Sequence, residues 1–515
     1  MALLRHRGRN INQRDGSVLM GARGEVSSPR GEGKTIAVPV ELDSAFGTLP
    51  LLKHEREWGG WDYAWVNIGM AVATWAFLVG GSTALFVGAK HGILAIIIGT
   101  SIGAAVVAIG VCISAGKYGT EQYTFLRSVF GHAGSRLMLF LLLVIFGVGW
   151  ASVLSIMFGR ASTNILNVAT SGNYSPNGLV VTAFGLVGIA IAWLALWRGP
   201  VSINWLNRIV SPGLLGLSAV MLYLIFHDQG WDRIVNAEPT SPTGDTRVDF
   251  MIAVELSLSA TLGWWPITGN VARLTRSPRS AMWPNMLGIG LAQIVATCVG
   301  LLAALALRDA DPTVWMIPLG GLALGIFALV FIALANITSM VVIFYGMAVA
   351  LRQGGGWWMR LSWGKLTALL FLPAAIAAFY PEVLYDNFSV FLSWTVLIFS
   401  PVSGVTLVDF LFLRKRRIDQ RALYDVSKDG KYAFWSGWNI VAFASIFIGG
   451  SVYFLLLNPQ HLSPSSLFGV LGASGPACIV AGISYAILTR IFVKPTGRGG
   501  YIDNQQLENN AAPAR

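Results

Sequence analysis

The chain alternates between long apolar stretches and polar connections from Trp61 to Val493. Each stretch is about 17 residues or longer, and a helix of that length approaches or spans the roughly 30 Å hydrocarbon core of a bilayer. The pattern predicts about twelve transmembrane helices, at residues 62–88, 91–114, 135–165, 178–197, 205–226, 250–275, 283–307, 317–351, 364–380, 386–413, 434–457 and 466–493.

The amino-acid composition agrees with this pattern. Of the 515 residues, 54% are hydrophobic and only 12% are charged. That is too little charge to cover the surface of a soluble protein of this size. The sequence therefore predicts an all-α integral membrane protein, located in a cell or inner membrane.

The distribution of Lys and Arg predicts the orientation in the membrane. Of these 36 residues, 31 lie in the N-terminal tail, in every second connection with its adjoining span ends, or in the C-terminal tail. Because cytoplasmic loops retain Lys and Arg, both termini are predicted to be cytoplasmic. This topology and attraction to anionic lipid account for the net charge of +11. Membrane lipid is thus an expected partner and nucleic acid is not.

The predicted spans divide the chain into five parts. The first 60 residues are polar and lack the apolar core of a signal peptide, so we expect a retained, flexible tail. The parts are a cytoplasmic N-terminal tail at 1–60, helices 1–5 at 61–227, helices 6–10 at 228–415, a cytoplasmic loop with helices 11 and 12 at 416–493, and a cytoplasmic C-terminal tail at 494–515.

Two predicted spans contain small or helix-breaking residues near the middle. Backbone groups freed by such a break must line a cavity or be covered by protein. The first and sixth spans begin on opposite sides, as inverted repeats require, and in such transporters the broken helices hold substrate and cation near the midplane. Glycines that only permit close helix packing are the alternative interpretation. The residues are Gly263, Pro266 and Gly269 in the sixth span, and Gly69, Thr74, Gly80 and Gly81 in the first.

Cysteine and histidine do not predict a metal or redox site. The three Cys residues lie in separate apolar stretches, and the six His residues lie in tails, loops or span ends. Their spacing matches neither a C-x-x-C pair nor a Cys/His zinc site. No cofactor is therefore expected, apart from a possible coupling ion.

Seven segments together resemble the nucleobase:cation symporter-1 family. The resemblance extends from about residue 49 to about residue 457. It implies a leucine-transporter-type fold, with ten core helices in two inverted repeats of five and two more C-terminal helices. It also implies symport of a nucleobase-like heterocycle with Na+ or H+. The segments are EREWGGWDYAWVNIGMAVATW (55–75), KYGTEQYTFLRSVFG (117–131), FGVGWASVLSIMFGR (146–160), GNVARLTR (269–276), ALANITSM (333–340), LVDFLFLRKRRIDQRALY (407–424) and GWN (437–439).

The resemblance implies a substrate site between Trp150 on the third helix and Trp264 beside the break of the sixth. A planar heterocycle needs aromatic faces to stack on, and both residues lie in mid-span. Gly263 is expected to offer backbone groups. Tryptophans that only pack, and hydroxyls that bond to the preceding helical turn, are the alternative interpretations. The other candidate substrate contacts are Ser155, Trp265, Phe344 and Asn336.

The sequence departs from the family pattern at three positions. Leu154 stands where the hydantoin-transporting branch has a glutamine, and Phe344 stands where that branch has an asparagine. Hydantoin is therefore not carried over as the substrate. Arg273 stands where the family usually has an acidic residue after the sixth-helix break.

The resemblance also implies a Na+ site between the first and eighth helices. Carbonyl groups near Ala71 and Thr74 would face the carbonyl of Ala335 and the hydroxyls of Thr338 and Ser339. The alternative is that these hydroxyls only bond to their own helix.

Proton coupling would instead use an ionisable group inside the bundle. The candidates are Glu255, Asp409 and Arg160, and the sequence does not identify a partner for the arginine.

Together, these features predict a secondary active symporter that imports a nucleobase or a related small heterocycle by alternating access. A vitamin-like heterocycle is the alternative substrate for the same fold. An ion channel or a membrane-embedded enzyme is disfavoured, because the sequence contains no visible pore motif and few catalytic residue types at bundle depth.

Overall fold

The computed structural model of the protein describes residues 49–197, 200–353 and 356–501. Within these residues, eight helices are long and apolar enough to cross a membrane, and a bent pair of helices near the start forms a ninth such span if counted together. The predicted tails up to residue 48 and beyond residue 501 lie outside the described residues.

The described chain is almost entirely helical. Its first half contains α1 (Gly60–Ala71), α2 (Thr74–Ala84), α3 (Ala89–Tyr118), α4 (Gln122–Phe125), α5 (Arg127–Val144), α6 (Ala151–Thr170), α7 (Leu179–Leu196), α8 (Pro200–Gln229) and α9 (Trp231–Val235). Its second half contains α10 (Thr246–Leu262), α11 (Trp265–Ala272), α12 (Pro278–Leu307), α13 (Pro312–Gln353), α14 (Trp363–Ala377), α15 (Pro381–Tyr385), α16 (Phe388–Leu413), α17 (Ile440–Leu456), α18 (Phe468–Leu471) and α19 (Ser474–Leu488).

Shorter elements connect or extend these helices. A π-helical segment, Ile145–Trp150, joins α5 to α6, and another, Thr489–Val493, extends α19. Between α17 and α18, β1 (Leu457–Asn458) and β2 (Ser463–Pro464) form a two-stranded antiparallel hairpin. Short 3-10 helices occur at Gly356–Arg360, Lys494–Thr496 and Arg498–Gly500.

Three predicted spans correspond to helices that do not meet both criteria, length and apolar composition, for crossing a membrane. The third corresponds to α5 with α6, the ninth to α14 and the eleventh to α17. Helices α14 and α17 are only 15 and 17 residues long. The number of twelve crossings therefore stays a prediction.

The first predicted span is interrupted, with a bend of 49° between α1 and α2. The break falls at Val72 and Ala73, and the backbone of Ala73 is extended (φ −135°, ψ 175°). A Cβ on Gly69 would lie 1.8 Å from a side-chain oxygen of α8, and one on Gly80 would lie 2.0 Å from a backbone oxygen of α12. These two glycines therefore permit close helix packing, and the break lies elsewhere.

The sixth predicted span is interrupted at Gly263 and Trp264, between α10 and α11. Pro266 lies in the first turn of α11, where its missing N–H removes no helical hydrogen bond. Residues Thr246–Ala272 still form one continuous apolar run, without a bend as large as that of the first span. The predicted interruption is present, but it is milder than the first.

Helices α2 and α11 lie at the centre of the bundle. Every residue of both helices is buried, and both pack against α13. At the periphery, α17 exposes Phe447 (77%) and Leu455 (75%). Large apolar side chains facing outward are expected where a helix contacts lipid.

Two glycines with positive φ bend helices that the apolar pattern presents as continuous. Gly131 (φ 78°) lies near the start of α5, and Gly321 (φ 66°) lies within α13. The predicted eighth span, 317–351, runs across the second kink. Glycine is common inside membrane helices, so its presence in an apolar run does not by itself indicate a bend.

The end of the predicted N-terminal tail is part of the folded bundle. Residues 49–59 pack at the end that carries Lys117 and Arg414, which we call the basic end. There Arg56 Nη1 donates a hydrogen bond to the carbonyl of Gly116 at 2.8 Å. The flexible-tail prediction therefore does not hold for these residues.

Candidate substrate and cation site

Three tryptophan rings meet where the two interrupted helices pass α6. Trp150 and Trp264 are stacked, with ring centroids 6.2 Å apart and planes inclined by 27°. Trp75 of α2 lies 5.6 Å from Trp150 and 5.7 Å from Trp264. None of the three is more than 2% exposed. We call this group the tryptophan slot.

The spacing of Trp150 and Trp264 is slightly less than a third ring requires. A flat ring between two others needs about 7 Å between the outer rings, because each stacking contact takes about 3.5 Å. The observed centroid distance is 6.2 Å. A flat ring can therefore lie between them only if the two tryptophans move apart by at least about 1 Å.

Glycines beside the tryptophans allow the close approach of the rings. A Cβ on Gly263 would lie 3.0 Å from the ring of Trp150, and one on Gly149 would lie 2.3 Å from the ring of Phe391. Phe388 and Phe391 of α16 pack edge-on against Trp150, with centroids 5.9 and 5.6 Å away. Helix α16 thus covers part of the slot.

The indole N–H groups of the slot differ in their partners. Trp75 Nε1 donates to the carbonyl of Met70 at 3.1 Å, across the break between α1 and α2. Trp150 Nε1 and Trp264 Nε1 are buried and have no hydrogen-bond partner among the described residues. Buried donors normally find an acceptor, and a ligand that carries acceptors can supply one.

Three other predicted substrate contacts have partners outside the ring cluster. Ser155 Oγ donates to the carbonyl three residues earlier at 2.8 Å, which agrees with the alternative interpretation for helical hydroxyls. The ring of Phe344 stacks on Phe371 of α14, with centroids 3.6 Å apart. Trp265 is fully buried beside Gly110 of α3, where an added Cβ would lie 3.4 Å from the indole nitrogen.

Oxygen atoms gather where α13 faces the break between α1 and α2. Asn336 Nδ2 donates to Thr74 Oγ1 at 2.8 Å, and Thr338 Oγ1 donates to the carbonyl of Ala335 at 2.8 Å. Asn336 Oδ1 and Ser339 Oγ are buried and have no hydrogen-bond partner in the described parts of the chain. Asn336, a predicted substrate contact, therefore lies with the predicted cation ligands.

We call these atoms of α13 and Thr74 the oxygen cluster; Ala71, the other predicted ligand of the first helix, ends α1 three residues before Thr74. The last carbonyl groups of a helix lack intrahelical donors and are available to a ligand. Carbonyl and hydroxyl oxygens at an interrupted helix are a donor set that suits Na+. The unpartnered Ser339 Oγ and Asn336 Oδ1 fit such an ion.

Arg160 has several partners at the end of the bundle opposite the basic end, which we call the far end. Its guanidinium pairs with Asp311 at 3.0 Å and with Asp386 at 3.5 Å. It also donates to Asn177 and lies 3.7 Å from the ring centroid of Tyr385. Arg160 thus ties α6 to the loop before α13 and to the start of α16.

Two acidic candidates for proton coupling also make fixed contacts. Glu255 accepts hydrogen bonds from the backbone N–H groups of Ala473 (2.7 Å) and Ser474 (2.9 Å) at the start of α19. Asp409 pairs with Arg414 at 2.6 Å. Both carboxylates are therefore engaged in holding the bundle together.

Gln122 of α4 binds the inner half of the sixth helix, a role that the sequence analysis did not identify. Its Nε2 donates to the carbonyl of Trp265 at 2.8 Å, and its Oε1 accepts from the N–H of Gly269 at 3.0 Å. Its own N–H donates to Asn270 Oδ1 at 2.8 Å. We call these three bonds the Gln122 clamp.

A buried acid lies next to the clamp. Burial raises the pKa of Glu121, and hydrogen bonds from the backbone of Tyr123 and Thr124 and the charge of Arg273 oppose that shift. The positive charge of Arg273, which departs from the family pattern, is thus faced by a carboxyl group at the start of α4.

Trp75 is the main slot residue that the sequence analysis missed. A mid-span position at a broken or facing helix predicts Trp150 and Trp264 as substrate contacts. Trp75 meets the same criterion, because it follows Thr74 directly at the break of the first span.

Two interrupted helices that meet at an aromatic slot and an oxygen cluster, inside an apolar helical bundle, define a secondary transporter of the alternating-access class. The chain belongs to the family described as permease for cytosine/purines, uracil, thiamine, allantoin, whose model matches residues 50–474. The predicted resemblance is thereby confirmed. So is the prediction that the protein is a transporter rather than an enzyme, because the relatives are permeases.

Two permeases are similar to this protein over about two thirds of the chain. The purine-uracil permease NCS1 of Arabidopsis thaliana is 24% identical over 357 residues, covering 64% of this chain and 58% of that protein. The hydantoin permease of Microbacterium maritypicum is 23% identical over 372 residues, covering 68% of this chain and 71% of that protein. The match thus spans little more than half of the plant permease.

Solved structures of the transporter Mhp1, a member of the nucleobase-cation-symport-1 family, have the same fold. The closed form with bromovinylhydantoin bound has a TM-score of 0.67 at 20% identity and covers 87% of this chain and 96% of Mhp1. The inward-facing form has a TM-score of 0.70 at 18% identity and covers 91% and 98%. The predicted leucine-transporter-type fold is confirmed by this similarity.

Proposed function

We propose that the protein is a symporter that imports a small flat heterocycle of the nucleobase type together with Na+. The observation that carries this proposal is the stacked pair Trp150 and Trp264, buried at the sixth-helix break and adjacent to the oxygen cluster through α2. Flat heterocycles gain binding energy from two aromatic faces, about 1–3 kcal/mol per stacked ring. The names of the relatives, which refer to purines, uracil and hydantoin, agree with this class.

In this proposal the substrate ring enters between Trp150 and Trp264. Its polar edge groups accept hydrogen bonds from the unpartnered indole N–H groups or meet the backbone at Gly263. The far end is held by Arg160, and the basic end is held by the Gln122 clamp. Alternating access requires each end to release while the other holds, and bound substrate and cation shift the balance between these states.

Na+ is the coupling ion that the residues support best. A Na+ ion in the oxygen cluster would hold α1 and α2 against α13. Asn336 Oδ1 and Ser339 Oγ have no hydrogen-bond partner among the described residues and could bind such an ion. In contrast, the buried acids Glu255 and Asp409 already have fixed partners. With the basic end on the cytoplasmic side, as the charge distribution predicts, the direction of transport down a Na+ gradient is import.

The test is ligand-dependent thermal stabilisation of the purified protein. A ligand that binds only the folded state raises the melting temperature. The panel contains nucleobases, ureides, hydantoins and vitamin-like heterocycles, each in NaCl and in choline chloride. We expect at least one flat heterocycle to stabilise the protein, and to stabilise it more in NaCl.

The matched variants are Trp150→Ala, Trp264→Ala and, as a control, Trp205→Ala. Trp205 is 63% exposed and lies outside the slot. We expect each slot variant to weaken binding about tenfold or more, because one stacking face is lost, and the control to bind as the wild type does. Unchanged binding in both slot variants, or no stabilisation across the panel, contradicts the proposal.

A further inference from the structure

We propose that Trp75 sets the size limit of the substrate: it closes one edge of the tryptophan slot and restricts the slot to ligands with a single ring. This inference rests on the function proposed above and names the ligand class of the same site. The preferred ligands are monocyclic heterocycles, such as a pyrimidine or a five-membered cyclic imide, rather than fused bicyclic purines.

Trp75 lies beside the two stacked rings and at the edge of the space between them. Its centroid is nearly equidistant from Trp150 (5.6 Å) and Trp264 (5.7 Å), and its plane is inclined by 85° and 58° to theirs. A ligand between Trp150 and Trp264 lies roughly parallel to both. Trp75 therefore stands across the edge of that ligand and does not stack on its face.

A hydrogen bond to the backbone fixes the position of the Trp75 ring. Its indole N–H donates to the carbonyl of Met70 at 3.1 Å, and the side chain is fully buried. Moving the ring away from the slot breaks this bond and leaves two buried polar groups without partners, which is costly. Trp75 is therefore a fixed wall.

The residues around the slot are closely packed. Phe388 and Phe391 of α16 pack edge-on against Trp150, and Gly263 approaches the same ring from α10. A fused second ring adds several atoms that must displace one of these closely packed groups. Such overpacking is unfavourable in a close-packed interior.

The experiment compares the affinities of uracil and hydantoin with those of hypoxanthine and adenine, measured by calorimetry in NaCl on the full chain. Differences of shape in an apolar pocket change affinity by about 10- to 200-fold. We expect the better single-ring ligand to bind the wild type at least about tenfold more tightly than either purine. In Trp75→Leu, purine affinity rises and the preference falls to nearly equal affinities.

Two further variants make the result specific. Trp75→Phe removes part of the wall but keeps an aromatic ring, so an intermediate preference is expected, and it replaces Trp75→Leu if that variant does not fold. Trp315→Leu is the matched control, because Trp315 of α13 is buried against Phe77 of α2, the helix that carries Trp75, and lies outside the slot. It keeps the wild-type preference.

The outcomes separate this inference from the proposed function. Wild-type protein that binds purines as tightly as single rings overturns the size limit, and so does an unchanged preference in the Trp75 variants. Either result leaves the transport of flat heterocycles standing. Failure of all four ligands and of the wider panel to bind contradicts the proposed function itself.

Discussion

Ser339 and Thr338 are neighbouring hydroxyls with different surroundings. Thr338 Oγ1 donates to the carbonyl of Ala335, whereas Ser339 Oγ is buried with no partner among the described residues. A buried polar group without a hydrogen bond costs about 1–3 kcal/mol. Na+ binding at the oxygen cluster would satisfy the Ser339 oxygen and remove this cost.

Replacing Ser339 with alanine tests this interpretation. We expect Ser339→Ala to abolish the extra ligand stabilisation that NaCl gives over choline chloride, because one oxygen ligand is lost. The melting temperature without Na+ is expected to stay unchanged or to rise, since removing an unsatisfied hydroxyl is nearly neutral. Thermal unfolding in the two salts measures both effects.

Ser445→Ala is the control for this variant. Ser445 is also a buried helical serine, but its hydroxyl donates to the carbonyl of Val441 at 2.8 Å in α17. Its Na+ response is expected to match the wild type. An undiminished Na+ response in Ser339→Ala is the result that excludes Ser339 as a ligand.

At the scale of elements, Arg160 joins three parts of the far end through carboxylates of unequal burial. The side chain of Asp311 is 14% exposed at 3.0 Å, and that of Asp386 is 57% exposed at 3.5 Å. Breaking a buried ion pair costs about 3–5 kcal/mol, while an exposed pair contributes about 0–1 kcal/mol. The contact with Asp311 therefore dominates the attachment of the far end.

The pair Asp311→Asn and Asp386→Asn measures this difference. We expect Asp311→Asn to lower the melting temperature clearly, because it leaves the mostly buried guanidinium without its main counter-charge. Asp386→Asn serves as the internal control and is expected to change the melting temperature little. Equal losses in the two variants would show that burial does not decide the strength of this contact.

Only part of the helical arrangement is predictable from the sequence. The apolar runs and the charge distribution predict the spans, and the sixth-helix break falls at the predicted Gly263. The first break falls at Val72 and Ala73, directly before the predicted Thr74, while Gly69 and Gly80 lie in close helix contacts; neither residue of the break is itself a helix breaker. A break without such residues is set by tertiary contacts, and these are not visible in a local pattern.

The site was predictable to a similar extent. Mid-span position identifies Trp150 and Trp264, and the same signal was available for Trp75. Phe344 stays a predicted contact whose ring stacks on Phe371, because the rotation of α13, which decides the face that meets the slot, is not visible in the sequence. The partner Asp311 lies 151 residues after Arg160, so no local spacing connects them.

At the scale of the whole molecule, the segment after α19 is tied back to the basic end. Tyr485 and Tyr501 both donate to Asp409 Oδ1, at 3.1 and 2.8 Å, and Asp409 pairs with Arg414. Arg414 Nη1 also donates to the carbonyl of Gly499 at 2.8 Å. The last described residues thus help to hold α16 and α19 together.

Tyr501→Phe removes the hydroxyl that bonds to Asp409 and also contacts the hydroxyl of Tyr485 at 2.8 Å, without changing the ring. We expect a loss of about 1.5–3 kcal/mol in stability, because the hydroxyl donates to a charged acceptor. The measurement is the melting temperature in detergent, with Tyr223→Phe as the control, since Tyr223 is 64% exposed on α8. A wild-type melting temperature in Tyr501→Phe would contradict a stabilising role for this segment.

The Gln122 clamp has a consequence for the kinetics of the transport cycle. All three bonds involve one residue, and all lead to the eight residues of α11. When α11 moves away from α4, no single bond can be exchanged for another, so the three are lost together. We therefore expect release of the basic end to be cooperative, with an activation enthalpy raised by the loss of these bonds. Turnover is then expected to depend steeply on temperature, without accumulation of partly released intermediates.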